Sequence, residues 1–298
     1  MTSRPLTGLP LPATDDPPAP ARRPPLSVGT LVSHVLLVLA ALVVLFPFLW
    51  MAVTALKAEG DVFTTPPAPI GSEGPQWGNF GRAWTYVPFG RFMLNGLVVA
   101  GLGTVIVLVT SGLAAYAFAR LHFRGRDTFF LVYLGTLMIP QEVIVVPMFI
   151  LMRNLGWVNS YQALILPWAF TAFGTFLLRQ FFLSVPQEYE DAARVDGASR
   201  LRILLQVMAP LAAPAFGVLA VFTFITYWNS FLWPLIIVNS QNMATIPLGL
   251  NMFLGQHGSQ YNYQMAASTL SVLPSVVLVL ALQRYLVKGI AMSGLGGR

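Results

Sequence analysis

The 298-residue sequence contains no cysteine and very little charge. Without cysteine, the chain has no disulfide, no thiolate nucleophile and no zinc–thiolate site. Only 9% of its residues are charged, whereas about 25% are charged in a typical soluble domain. With 56% hydrophobic residues, the 17 basic and 11 acidic side chains are too few to cover a water-exposed surface. The composition therefore excludes a soluble enzyme and a disordered chain.

Lysine is nearly as rare, and neither Lys57 nor Lys288 follows a glycine. A P-loop, which cradles nucleotide phosphates, requires a Gly-Lys pair. The three histidines (His34, His122 and His257) lack the spacing of metal ligands. We therefore predict no nucleotide site of this kind, no metal site and no enzyme activity in this chain.

Residues 1–27 differ from the rest of the chain because they contain eight prolines and five charged side chains. A segment of this composition cannot bury a core, so we predict a disordered proline-rich tail. The segment does not resemble a signal peptide, since the apolar stretch that follows it is too long.

Six apolar stretches are long enough to cross a lipid bilayer, which requires about 20 mostly apolar residues. They predict an all-α membrane domain of six transmembrane helices over residues 28–298. The fifth stretch contains Pro210, Pro214 and Pro234, and we expect it to be kinked or irregular towards its ends. The stretches are residues 31–56, 92–119, 129–151, 161–182, 207–238 and 266–286.

The charges of the loops predict the orientation of these helices. If all six stretches cross, 13 of the 17 basic residues lie on one side, in the N-terminal tail, the second and fourth loops and the C-terminal segment. Basic loops remain in the cytoplasm, so both termini are predicted to be cytoplasmic. The net charge of +6 thus reflects membrane orientation, and we predict no nucleic-acid partner. The basic residues expected on the opposite side are Lys57, Arg82, Arg91 and Arg153.

The loop between the fourth and fifth stretches has the pattern of a short helix. Ser184 followed three residues later by Gln187 is typical of a capping box, which predicts that the helix begins there. Glu188, Glu190 and Asp191 would then lie near its N-terminus, where the helix dipole favours negative charge.

The same pattern predicts the end of this helix and one of its faces. Gly197 is expected to end the helix in the left-handed conformation, and Ser199 to cap a second helix. Tyr189, Ala192 and Ala193 fall at helical spacing and would form a contact face of mostly small residues. From the residues alone, an interfacial amphipathic helix without a partner remains the alternative.

The segment Asp191-Ala-Ala-Arg-Val-Asp-Gly197, followed after nine residues by Val207-Met-Ala-Pro210, resembles the EAA motif of ABC importer permeases. Ala192, Ala193 and Gly197 fit this motif, as does Pro210, whereas Asp191 replaces its glutamate. Four further segments resemble the carbohydrate-importer branch, the permeases of the maltose and multiple-sugar type. They are Met138-Ile-Pro-Gln-Glu-Val, Phe176-Leu-Leu-Arg-Gln-Phe-Phe-Leu, Tyr227-Trp-Asn-Ser-Phe-Leu-Trp-Pro and Gln283-Arg-Tyr-Leu-Val-Lys-Gly.

This resemblance implies the type I ABC importer permease fold, with a coupling helix at about residues 184–199 that docks in a groove of a cytoplasmic ATPase subunit. The acidic position of the motif, Asp191 or alternatively Glu190, would pair with a basic residue of the ATPase. The residues implied in coupling are Glu190, Asp191, Ala192, Ala193, Asp196, Gly197 and Pro210.

The resemblance also implies the partners and the location of the chain. It would form a heterodimer with a second permease in the inner membrane of a bacterium or archaeon. Two ATPase subunits, which bind ATP and Mg, and an extracytoplasmic sugar-binding protein would complete the importer. No cofactor is expected on this chain itself.

Polar residues within the apolar stretches are candidates for the translocation path. Glu142 is predicted well inside the third stretch, where an ionisable group faces a wet cavity or a neighbouring helix. Tyr227, Asn229 and Ser230 combine an aromatic ring with amide and hydroxyl groups, as sugar sites do. The alternative for this region is an interfacial aromatic belt, which Trp228 and Trp233 would also satisfy.

We therefore expect a sugar-importing permease subunit. The same architecture importing glycerol-phosphate or polyols is the alternative. A stand-alone channel or secondary carrier is a third possibility, although a carrier would be expected to contain an inverted repeat, and none is evident in the sequence.

Overall fold

The computed structural model describes residues 28–66, 71–255 and 258–294, so the predicted tail at 1–27 lies outside the described residues. The described chain is almost entirely helical, which confirms the predicted all-α class. Its strands are β1 (Leu254–Gly255) and β2 (Gly258–Ser259), which pair as a short antiparallel hairpin. Its α-helices are α1 (Val28–Ala55), α2 (Gly78–Tyr86), α3 (Phe89–Arg120), α4 (Arg126–Gly135), α5 (Gln141–Asn154), α6 (Tyr161–Ile165), α7 (Ala172–Ser184), α8 (Glu188–Val195), α9 (Arg200–Ile203), α10 (Ala209–Leu211), α11 (Ala213–Trp228), α12 (Leu232–Ile237), α13 (Ile246–Leu250) and α14 (Tyr261–Gly294).

The described residues divide into two units, residues 28–47 and the described residues from 48 onwards, and the boundary falls within α1. The described part of the first unit, residues 28–47, is continuous helix. There the Ser33 hydroxyl donates to the carbonyl oxygen of Gly29 at 2.9 Å. The second unit contains helices α2 to α14 and the residues of the candidate site.

Three helices are long and apolar enough to cross a membrane: α1, α3 and α14. Three further pairs of helices satisfy the same criteria only when taken together, since each pair is sharply bent at a short break. The bends are 100° between α4 and α5, 48° between α6 and α7, and 82° between the α9–α10 segment and α11. If each bent pair is one crossing, the described chain has six.

Proline and the residues beside it account for these breaks. In the third stretch, Ile139 adopts an extended ψ angle of 115°, because a residue before proline avoids the helical region, and Pro140 itself has a ψ angle of 137°. In the fifth, a continuous helix would bring the ring of Pro214 against the carbonyl of Pro210, and the helix breaks at Ala212 between them. The expected irregularity of the fifth stretch is confirmed, and the third stretch, predicted as one span, is bent as well.

Two buried clusters hold the second unit together. The α2-side cluster packs large side chains such as Phe92, Trp228, Trp233 and Phe253 between α2, α3, α6 and α11–α14. The α8-side cluster consists of Ala115, Tyr116, Ala119, Leu178, Phe182, Val185, Ile203, Leu204, Met208, Ala212, Ala215 and Leu219. Because α3 and α11 contribute to both clusters, they connect the two ends of the unit.

Trp233 belongs to the α2-side cluster and does not lie in an interfacial belt. Its side chain is 2% exposed, its ring packs edge-on against Trp168, and its indole N–H donates to the carbonyl oxygen of Ala163 at 2.8 Å. The belt interpretation of Trp233 is therefore wrong. The indole N–H finds its acceptor on a neighbouring helix, so the ring need not reach the membrane surface.

Glycines allow α3 and α11 to approach closely. A Cβ atom built on Gly103 would lie 2.6 Å from the ring of Tyr227, a distance that real Cβ atoms do not adopt. On the same helix, Gly101 has open space around its Cα atom. Alanine substitutions at Gly103 and Gly101 therefore distinguish the effect of close packing from the effect of helix propensity.

We expect Gly103→Ala to lower the free energy of unfolding by about 1–3 kcal/mol, because the added methyl group displaces the Tyr227 ring. Gly101→Ala serves as the matched control and should be neutral or stabilising by up to ~1 kcal/mol, since alanine favours helix. Thermal unfolding of the purified protein in detergent measures both. Equal midpoints for the two variants would contradict the close packing.

Candidate functional site

The helix predicted in the fourth loop is α8, and it begins later than expected. Ser184 is the last residue of α7, and its hydroxyl donates to the carbonyl oxygen of Phe181 at 2.7 Å. Val185, before Pro186, is extended and ends α7, so Ser184 cannot cap α8. The residue before α8 is Gln187, and none of the described side chains caps the helix there. The predicted capping box is therefore wrong.

The end of α8 confirms the predicted glycine turn. Gly197 has φ +76°, its N–H donates to Arg194 O at 3.0 Å, and the N–H of Ala198 donates to Ala193 O at 2.9 Å. This pair of bonds is the Schellman arrangement, which uses a left-handed residue. Ser199 then caps α9 as predicted, since its hydroxyl oxygen accepts from the N–H of Arg202 at 3.4 Å.

The two faces of α8 differ sharply. Val195 is 88% exposed, and Tyr189, Asp191, Ala192 and Asp196 are also exposed. Ala193 is half-buried against the α8-side cluster, so only part of the predicted Tyr189–Ala192–Ala193 face is open. Pro210 lies apart in α10, just before the 82° bend.

Glu190 is the buried residue of α8, with a side chain that is 1% exposed. Its Oε1 atom lies 2.9 Å from Nε of Arg120, at the end of α3. Its Oε2 atom accepts from the Tyr116 hydroxyl and from Nη2 of Arg194, both at 3.4 Å. Glu190 is therefore paired within the chain, whereas its neighbour Asp191 is 57% exposed and pairs with Arg194 alone at 3.2 Å.

Arg120 also contacts α7. Its Nη2 atom donates to the carbonyl oxygen of Phe182 at 2.6 Å and to that of Val185. A second arginine, Arg179 of α7, donates from Nε to Phe118 O at 3.2 Å and lies over the Phe130 ring of α4. In the sequence both arginines serve only as markers of orientation, because their partners are distant in the chain.

A cavity of about 600 Å³ lies between α11 and the breaks of the α4–α5 and α6–α7 pairs. Tyr227 and Ser230, two of the candidate path residues, line it, and the Tyr227 hydroxyl donates to the carbonyl oxygen of Ile165 at 2.8 Å. Trp168 also lines it, and its buried indole N–H has no acceptor among the described residues. The polar lining residues are Tyr133, Thr136, Gln141, Thr171, Thr223, Thr226, Tyr227 and Ser230.

Glu142 and Asn229 are not among the described residues that line this cavity. Glu142 is exposed in the first turn of α5, directly after the Pro140 break, where the helix dipole favours a carboxylate. The predicted span is bent beside Glu142, which lies just after the bend. Asn229 is exposed at the C-terminal end of α11.

The sequence of residues 108–292 matches the family described as binding-protein-dependent transport system inner membrane component. The chain belongs to this family. Its members are permease subunits of ABC importers, as the EAA-like segment indicates. Membership also agrees with the apolar helices of a multi-pass protein of the bacterial inner membrane.

Curated relatives of this permease align over most of its length. It is 38% identical over 270 residues to the sn-glycerol-3-phosphate transport system permease protein UgpE of Pectobacterium atrosepticum, covering 88% of this chain and 95% of that protein. It is 37% identical over 217 residues to the arabinooligosaccharides transport system permease protein AraQ of Halalkalibacterium halodurans, covering 73% and 76%.

Solved structures show the same fold. A chain of a bacterial ABC transporter involved in the import of the acidic polysaccharide alginate superimposes with a TM-score of 0.76 at 23% identity, covering 87% of this permease and 96% of that chain. A chain of the bacterial alginate ABC transporter in complex with an alginate pentasaccharide-bound periplasmic protein gives 0.60 at 16% identity, covering 85% and 92%. The predicted ABC importer permease fold is thus confirmed.

The bond between Tyr227 and Ile165 gives a test of the cavity wall. We expect Tyr227→Phe to destabilise the protein by about 1–3 kcal/mol, because a buried carbonyl oxygen loses its donor. Tyr133→Phe is the control, since no described residue hydrogen-bonds to the Tyr133 hydroxyl. The measurement is the thermal midpoint in detergent. A Tyr227→Phe protein as stable as the Tyr133→Phe protein would contradict the bond.

Proposed function

We propose that this permease forms half of the translocation path of an ATP-driven importer for sugars. The observation that carries the proposal is the lining of the 600 Å³ cavity, which combines Trp168, Phe170 and other rings with neutral hydroxyl and amide groups. Sugars bind by stacking on aromatic rings and by hydrogen bonds to their hydroxyl groups.

Glycerol-phosphate import is the second candidate, because a relative at 38% identity is a glycerol-3-phosphate permease. A phosphate ester is recognised most strongly by arginine or lysine. The described residues that line the cavity include neither, and this neutrality favours a sugar. A cavity shared with a second permease would place the remaining contacts on that partner.

The coupling site of this proposal is the exposed face of α8, which we call the coupling helix. Tyr189, Ala192 and Val195 offer a shallow apolar surface, and Asp191 and Asp196 add negative charge at its edge. This surface suits a groove with basic residues on a cytoplasmic ATPase subunit. The Gly197 turn fixes the angle at which α8 meets the membrane helices, so motion of the ATPase would be passed to them.

The full importer in this proposal contains this permease, a second permease, two ATPase subunits that bind ATP and Mg, and an extracytoplasmic sugar-binding protein. Both termini lie in the cytoplasm. Arginines beside α8 and at the end of α3 support this orientation, because positive loops stay in the cytoplasm. The similar alginate transporter forms a complex with a pentasaccharide-bound periplasmic protein, which supports the presence of a binding protein here.

Substitution at Gly197 tests the coupling site. We expect Gly197→Asp to leave the protein inserted but to abolish copurification of the ATPase or sugar uptake, because a side chain strains the left-handed turn by about 1–3 kcal/mol and moves α8. Gly156→Asp is the matched control: Gly156 also has a positive φ, with open space around it, but follows α5. Normal uptake and copurification in the Gly197→Asp strain would exclude this coupling site.

The substrate class is tested through the binding protein. We expect the binding protein recovered with this permease to be stabilised by a sugar, by about 2.7 kcal/mol at a ligand concentration of 100 Kd. Glycerol-3-phosphate should leave its unfolding midpoint unchanged. Stabilisation by glycerol-3-phosphate alone would instead establish the second candidate.

A further inference from the structure

Glu190 faces away from the surface on which an ATPase would dock. Its carboxylate is buried between α3 and α8, although it stands in the acidic run of a helix whose other carboxylates are exposed. All of its partners belong to this chain: Arg120 and Tyr116 on α3, and Arg194 on α8. Tyr116 and Arg120 are one turn apart, so α3 holds the carboxylate at two successive positions.

Burial makes the ion pair between Arg120 and Glu190 costly in free energy unless both groups are well paired. Removing a carboxylate and a guanidinium from water carries a large penalty, which is compensated only when both groups keep their partners. Arg120 is 10% exposed, and its Nη2 atom donates hydrogen bonds to the carbonyl oxygens of Phe182 and Val185. Loss of Glu190 would leave the buried Arg120 guanidinium without its carboxylate partner, and loss of Arg120 would leave Glu190 with only Arg194 and Tyr116.

The guanidinium of Arg120 therefore joins three elements at one point. Arg120 is the last residue of α3. Its guanidinium donates to carbonyl oxygens at the end of α7 and pairs with Glu190 on the inner face of α8. The edge-on contact of Tyr116 with Phe182 connects the same helices through the α8-side cluster. These contacts leave α8 little freedom to shift relative to α3 and α7.

We propose that Arg120 is a positioning residue that fixes the coupling helix to α3 and α7 through Glu190, so that the three helices move as one body. Glu190 is in this role an internal anchor and does not contact the ATPase. The inference rests on the proposed function in one respect, the identity of α8 as the coupling helix. The anchoring itself concerns only contacts within this chain.

The absence of cysteine allows a direct measurement of the anchoring. A single cysteine introduced by Val195→Cys, at the most exposed position of α8, would carry a spin label in the full-length permease in lipid nanodiscs. Glu190→Gln should raise the population of the mobile spectral component at least ~10-fold, because the buried Arg120 guanidinium loses its negatively charged partner. Asp191→Asn removes one charge from the same helix and should leave the spectrum unchanged.

Two outcomes of the spectra would overturn the proposal: no change with Glu190→Gln, or an equal change with Asp191→Asn. Should Glu190→Gln fail to insert, Arg120→Lys carries the test. Lysine keeps the charge but lacks the planar fork, so it cannot hold Glu190 and both carbonyl oxygens together. It should therefore also mobilise the label, and an unchanged spectrum would overturn the proposal equally.

A second readout uses the assembled importer. Without the label, Glu190→Gln should retain the ATPase subunits on copurification but lower the stimulation of ATP hydrolysis by the sugar-loaded binding protein at least ~10-fold. Loss of copurification with an unchanged spectrum would show that Glu190 contacts the ATPase and overturn the anchor. Failure of the unmodified permease to retain any ATPase would contradict the proposed function, whereas the spectra would still decide the anchoring.

Discussion

The architecture depends on how polar backbone groups are satisfied where helices break in apolar surroundings. Within a bilayer, a carbonyl oxygen released at a helix end must find a donor inside the protein. In this permease, side chains from neighbouring helices supply those donors. Tyr227 serves Ile165, and Trp233 serves Ala163. The bends are thus part of the packing between helices, and the cavity lies where they meet.

Features set by neighbouring residues could be predicted from the sequence, and those set by distant contacts could not. The Gly197 turn and the Ser199 cap follow from local backbone chemistry, and both are present. The break at Pro140 is equally local, but the long apolar run around it favours an unbroken helix and conceals it. The burial of Glu190 depends on Arg120, a partner far away in the chain, and no local pattern indicates it.

The same division applies to the candidate site. An acidic run before a glycine turn predicts a helix with several exposed carboxylates, and Asp191 fits that description. Glu190, one position earlier, points to a different, buried face, because adjacent residues on a helix are about 100° apart. One helix therefore combines an outer surface suited to a partner with an inner surface committed to its own chain. The motif alone could not show which carboxylate is exposed and which is buried within the chain.

The side-chain donors for the broken helices also constrain how the protein is made. Ile165 leaves the ribosome well before Tyr227, and Ala163 well before Trp233, since the partners are 62 and 70 positions apart. A nascent chain that ends between them has these carbonyl oxygens without their final donors. These two hydrogen bonds can therefore form only after the later helices have been synthesised.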